Sequence, residues 1–148
     1  MLAPSLSRAA AAVACLAILS GCARESGPAI DAPAAFAQSQ SGALTLIDIR
    51  RPDEWKQTGV AKGALEINMA HPQGTAGFVK QVEAELRGDR TAPIALICRT
   101  GNRTTQMQQA LVEAGFTNVV NVKEGMAGSG AGPGWLARGL PVEACKTC

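Results

Sequence analysis

The chain has 148 residues, of which 47% are hydrophobic, and a formal net charge of +2 at pH 7. That length suits one domain with short appendages and leaves no room for a second core. The small net charge, with no run of Lys or Arg and no interleaved aromatics, excludes the concentrated basic surface that nucleic acid requires, and 3% aromatic content means a core of Ala, Val, Leu and Ile.

Residues 1–8 carry a single positive charge, and residues 9–19 form an apolar run with no acid or amide. A membrane-spanning helix needs about 20 apolar residues, whereas the apolar region of a secretory signal needs roughly 7 to 15, so the run predicts export. The next residues, Leu19-Ser20-Gly21-Cys22, resemble the lipobox of bacterial lipoproteins. That resemblance implies a signal peptide over residues 1–21, cut before Cys22, and a diacylglycerol joined to the Cys22 thiol. At about 0.8 kcal/mol per buried methylene, several acyl chains anchor a protein firmly to a membrane. Ala23 stands where inner-membrane retention signals favour Asp, so the resemblance implies a bacterial envelope protein on the periplasmic face of the outer membrane. A plain signal peptide with an incidental cysteine is the alternative.

Residues 22–30 are small, charged or Gly/Pro without periodicity, the composition of a flexible tether. The domain is expected over residues 31–143. Asp31 can cap a helix with Pro33 in its first turn, and Ser41-Gly42 ends it. Residues 44–49, Leu-Thr-Leu-Ile-Asp-Ile, read as a strand buried on both faces, as do residues 64–67, 94–97 and 119–122. Between them run helical periods: Phe78, Val82 and Leu86, closed by Gly88, then Met107, Ala110, Leu111 and Ala114. Gly115 suits a left-handed stop, with Phe116 folding back onto the last apolar turn. Strands alternating with helices predict an α/β fold, a parallel sheet flanked by helices on both faces, with ligands beyond the carboxyl ends of the strands.

The loop at that end, between a central strand and a helix expected from about Thr104, reads Cys98-Arg99-Thr100-Gly101-Asn102-Arg103. A short turn from a buried strand into a helix aims backbone N–H groups inward, and the first helical turn offers unpaired donors with partial positive charge. An anion at the centre is stabilised. With Arg99 and Arg103 in the same loop, the Cys98 sulfur is expected to ionise more readily than a free thiol and to serve as a nucleophile. The alternative is a buried structural cysteine.

Asp48-Ile49-Arg50, Glu54-Trp55, Gly59 with Gly63-Ala64, the Cys98-x-x-Gly101-x-Arg103 loop, Gly115-Phe116, Trp135 and Gly139-Leu140-Pro141-Val142 together resemble a rhodanese domain. The resemblance implies a sulfurtransferase in which Cys98 takes sulfane sulfur from a donor such as thiosulfate, holds it as a persulfide cradled by the loop, and yields it to a thiol or cyanide-like acceptor. It implies no metal or organic cofactor. Cys98 is the nucleophile by family position, with residues Arg99, Thr100, Gly101, Asn102 and Arg103 binding the substrate; Arg103 is expected to fix the loop by bonding its carbonyls, and Arg99 to face the mouth and steer an anion. Cysteine-dependent phosphatases and arsenate reductases space Cys and Arg one residue further apart, which argues against phosphate here.

Asp48 and Arg50 are expected to pair and hold neighbouring loops rather than to react. His71, the only histidine, sits before Pro72 without partners for a metal site. The glycine-rich stretch 125–134 lacks the spacing of a nucleotide loop, and is longer than its counterpart in most rhodanese domains. The tail, residues 144–148, holds Cys145-Lys146-Thr147-Cys148, for which two readings stand: a small disulfide, or a mobile dithiol that swings over Cys98 and accepts its sulfur. Two other functions compete with sulfur transfer: thiol-disulfide exchange with a partner thiol protein using Cys98 and the tail, and a non-enzymatic binding module.

Overall fold

The computed structural model describes residues 27–148. The signal segment, Cys22 and most of the tether lie outside the described residues. In chain order the elements are β1 (Ala29–Ile30), α1 (Ala32–Gln40), β2 (Thr45–Asp48), α2 (Pro52–Thr58), β3 (Val60–Ala61), β4 (Leu65–Glu66), α3 (Gly74–Glu85), β5 (Ile94–Ile97), α4 (Asn102–Glu113), β6 (Val119–Val122) and β7 (Val142–Glu143).

All pairings in the main sheet are parallel, in the order β1-β6-β5-β2-β4, which puts β5 at the centre. Every β5 residue is buried, as a strand covered on both faces requires. Side chains alternate across it. Ala95 and Ile97 face a cluster with Ala32 and Ala35 of α1, Trp55 of α2, Met126 and Trp135. Ile94 and Leu96 face Phe78 and Val82 of α3, Met107 and Leu111 of α4, and Phe116. The period of two thus divides the core into two layers, and truncating Leu96 to Ala should cost about 2–5 kcal/mol.

The helix ends follow their sequences. Asp31 accepts from the Ala34 amide at 2.8 Å, and Ser41 is the C-terminal cap of α1. Helix α2 was not read from periodicity, yet it carries Pro52 in its first turn and Glu54 reaching back to the Arg51 amide at 3.1 Å. Helix α4 begins at Asn102, earlier than the expected Thr104, because Gly101 takes the left-handed conformation (φ +89°) at its N-terminus.

One expectation needs correction, and one feature was not foreseen. The tether ends before residue 29: Ala29 and Ile30 form the edge strand β1, in register with Asn121 and Val122, a pairing too short to leave a pattern in the sequence. A second sheet, antiparallel, joins β3 to β7 and brings residue 142 back beside residue 61.

The register of β2 on β5 matters most for the site. Asp48 lies level with Ile97, so the turn into α2 and the loop after β5 leave the sheet side by side.

Candidate active site

Cys98 follows β5 directly, with its residue wholly buried. The Gly101 amide donates to Cys98 Sγ at 3.2 Å. The Thr104 hydroxyl lies 3.6 Å from the same sulfur and donates to the Gly101 carbonyl at 2.8 Å. Since the hydroxyl proton serves the shorter bond, the Cys98 thiol is the donor in the weaker contact. The Gly101 carbonyl also accepts from the Thr105 hydroxyl at 2.9 Å, so Thr104 can turn its proton to an ionised sulfur without orphaning that oxygen. Thr104 was not among the sequence candidates; a hydroxyl in the first turn of the helix after a loop cysteine was the available signal.

The loop is shaped by its neighbour after β6. Cys98 and Arg99 carbonyls accept from the amides of Met126 (2.8 Å) and Ala127 (2.9 Å). The approach is so close that a Cβ at Gly101 would overlap the Lys123 carbonyl, and one at Gly125 would overlap that of Arg99. Both glycines also have positive φ, so the contact and the backbone conformation make the same demand.

Arg103 does not bond the loop carbonyls, which the sequence reading had assigned to it. Its Nη1 and Nη2 donate to the two carboxylate oxygens of Glu54 at 2.6 Å each, tying the Cys98 loop to α2. The Arg103 hydrogen bonds, countered by burial, hold Glu54 down to about 2 from 4.5. Glu54 in turn raises Arg103 above its ordinary range, and the Cys98 sulfur adds to that rise. The carbonyls of Cys98, Arg99 and Gly101 already have other donors, and the arginine reaches across to Glu54 instead.

The family model of the rhodanese-like domain matches residues 32–130. The chain belongs to the rhodanese-like family. It is 30% identical over 83 residues to a rhodanese domain-containing protein of Drosophila melanogaster, covering 53% of this chain and 74% of that one. Thiosulfate sulfurtransferase 16, chloroplastic, of Arabidopsis thaliana is 29% identical over 104 residues, covering 66% of this chain and 78% of that protein. Among solved structures, the Alr3790 protein from Anabaena superposes with a TM-score of 0.62 at 23% identity, covering 80% of this chain and 94% of that one, a likeness of fold.

Beside the rhodanese loop opens a groove of about 270 Å³, lined by Arg50, Glu54, Thr58, Arg99, Met126 and Leu136 among others. Arg99 is exposed there, and its guanidinium has no partner among the described residues. Asn102 faces elsewhere, into a larger hollow of about 580 Å³ along α4 towards Thr75. Thr100 is half-buried in the turn.

The glycine-rich stretch 125–134 is closed by Glu124, to which the sequence reading assigns no role. Its buried carboxylate accepts from the amides of Ala32 (2.7 Å) and Gly134 (2.8 Å) and from Arg138 Nε (2.8 Å). Burial pushes Glu124 up, but hydrogen bonds from Arg138 and the two amides win and hold it below the usual carboxylate range. Trp135 packs edge-on to Phe36, centroids 5.7 Å apart, and donates to the Pro141 carbonyl at 3.0 Å, fixing the far end of the stretch.

Asp48 and Arg50 form a buried pair, Nη2 to Oδ2 at 2.7 Å, and Arg50 also donates to the Thr58 hydroxyl and the Gly59 carbonyl at 2.8 Å each. They hold α2 in place. His71 Nδ1 accepts from the Gln73 amide at 3.1 Å before α3. Cys145 and Cys148 are joined as a disulfide whose turn rests on Glu66, at the end of β4. That places the tail on the edge strand rather than over Cys98.

Proposed function

We propose that the chain is a sulfurtransferase that carries sulfane sulfur on Cys98. The observation behind this reading is the convergence on Sγ of the Gly101 amide at 3.2 Å and the Thr104 hydroxyl at 3.6 Å, in a loop that Arg103 ties to α2 through Glu54. The Gly101 amide is placed to meet charge that develops on the sulfur during transfer, and the Thr104 hydroxyl can turn its proton to it. The thiolate attacks the outer sulfur of a donor such as thiosulfate; the S–S bond of the donor breaks, and sulfite leaves with the electron pair. The persulfide then yields its outer sulfur to cyanide or a thiol, and the Cys98 thiolate is restored.

The Arabidopsis relative bears the name of a thiosulfate sulfurtransferase, which supports the same chemistry here. Arg99, exposed and unpaired in the groove, is suited to attract an anionic donor. The residues that choose the donor belong to this groove and to the stretch above it, Met126 and Leu136 included. The proposal extends to export and lipidation at Cys22, which would hold the domain at a bacterial envelope membrane. Intact mass spectrometry of the mature protein tests that address.

The decisive experiment loads the purified chain with thiosulfate, looks for one added sulfur on the Cys98 peptide, and then measures thiocyanate after cyanide is added. A Cys98→Ser chain should give neither signal. No adduct on the parent chain would refute sulfur transfer.

A further inference from the structure

The disulfide Cys145–Cys148 plays no part in the chemistry above, and its surroundings are not those of a passive clasp. Cys145 is half-buried and packs against the core cluster around Trp55 and Val60, whereas Cys148 is exposed. The Glu66 carboxylate gathers the intervening turn, accepting from the Lys146 amide at 2.8 Å, the Thr147 amide at 2.8 Å and the Thr147 hydroxyl at 2.5 Å. The turn is therefore held by bonds that do not depend on the sulfur–sulfur link. The Cys148 amide points at Cys145 Sγ, 3.0 Å away, and Glu66 Oε2 lies 3.3 Å from that sulfur on another side. Both cysteines open onto a groove of about 550 Å³ that Lys56, Thr58 and the exposed Val142 help to line.

We propose that Cys145–Cys148 is a second redox centre, a thiol–disulfide exchange site that accepts two electrons from a dithiol at Cys148. The incoming thiolate, drawn by Lys56, attacks the exposed Cys148 Sγ. The bond to Cys145 breaks, and Cys145 Sγ departs with the electron pair and receives a proton from the second thiol of the donor. The resulting thiol has Glu66 Oε2 as its acceptor and the Cys148 amide as its donor. The second donor sulfur, now a thiolate, attacks the donor sulfur of the mixed disulfide. Cys148 is released as a thiolate and takes a proton from solvent. In net terms a dithiol becomes a disulfide while the tail becomes a dithiol. Because Glu66 keeps the turn folded, the two sulfurs stay close and the disulfide can form again by the reverse exchange.

The site is independent of Cys98, and its test reads the tail peptide alone. The full chain is equilibrated with mixtures of reduced and oxidised dithiothreitol, quenched in acid, alkylated and mapped by mass. The expected result is a reversible change between disulfide and dithiol with the circular dichroism of the folded chain unchanged. Reduction that occurs only once denaturant has unfolded the domain would make the bond a structural clasp and overturn the proposal. The direction of attack is read separately from single tail variants, each also carrying Cys98→Ser so that only the tail thiol reports, treated with 5,5′-dithiobis(2-nitrobenzoate). Cys148 in the Cys145→Ser chain should react at least about tenfold faster than Cys145 in the Cys148→Ser chain. Equal or reversed rates would overturn the assignment of Cys148. Glu66→Ala removes the acceptor that only the reduced Cys145 thiol uses, so it should lower the fraction of tail dithiol severalfold at a given dithiothreitol ratio; no change would remove Glu66 from the site. Loading of Cys98 from thiosulfate should proceed in the Cys145→Ser, Cys148→Ser double variant, so failure of one centre does not imply failure of the other.

Discussion

Glu54 receives both terminal nitrogens of Arg103 at 2.6 Å, across 49 residues of sequence, and the pair joins the helix after β2 to the loop after β5. Because Glu54 is held at about 2 against an ordinary 4.5, its contribution to stability is fully present above about pH 4.5 and is lost as the pH falls towards 2. The shift corresponds to on the order of 3 kcal/mol. A Glu54→Gln chain should be less stable than the parent by up to that amount at pH 7 and should lose less on acidification. Urea midpoints for both chains between pH 2 and 7 check this, since other carboxylates titrate in both alike. Parallel curves would show that the pair does little for the fold.

Thr104 touches the nucleophile with an oxygen, and Val has nearly the same shape without one. Thr104→Val should therefore fold, keep its melting temperature within a few degrees, and lose about tenfold or more in kcat/KM with thiosulfate. A hydrogen bond to a charged group contributes about 1.5–3 kcal/mol, and each 1.4 kcal/mol is tenfold in rate. Thr104→Ser, which keeps the hydroxyl, should recover most of the rate. If Val and Ser behave alike, the hydroxyl does not act on the sulfur.

Glu124 anchors a stretch whose amides hold Cys98 and Arg99. Replacing it with Gln leaves Arg138 without its ion-pair partner and weakens bonds to two buried amides. The expected cost is about 1–3 kcal/mol, with slower sulfur loading because the roof over the loop loosens. Thermal melts and loading rates measured together test this. A full melting temperature with slow loading would mean that the stretch acts on the site alone.

The sequence reported the central architecture well because the signals there are redundant. Strands β5 and β6 coincide with the runs 94–97 and 119–122, and Gly115 with Phe116 closes α4 through the amide of Phe116 on the Leu111 carbonyl at 3.0 Å. Two-residue strands such as β1, β3 and β7 have no period to detect, and their pairing is decided by the tertiary fold. Within the site, Cys98 and Gly101 were legible from their order along the loop. The partners of that loop were not: Glu54, Glu124 and Met126 come from other parts of the chain, and no local spacing says that their carboxylates or amides arrive there.

Arg99 offers a test of electrostatic steering that leaves the fold untouched. Its guanidinium is exposed in the groove and has no partner among the described residues, so Arg99→Ala removes a charge without breaking a contact. A positive group at the mouth raises the local concentration of an anionic donor but does little to the sulfur already bound on Cys98. KM for thiosulfate should rise about threefold to tenfold while kcat changes less than twofold, and Arg99→Glu should raise KM further. Screening sets the control. At about 1 M salt the Debye length shrinks to about 3 Å, so the gap between parent and variant should narrow steadily with ionic strength. A gap that persists in high salt would instead indicate a direct hydrogen bond from Arg99 to the donor, and a fall in kcat with constant KM would place the guanidinium against the transferring sulfur.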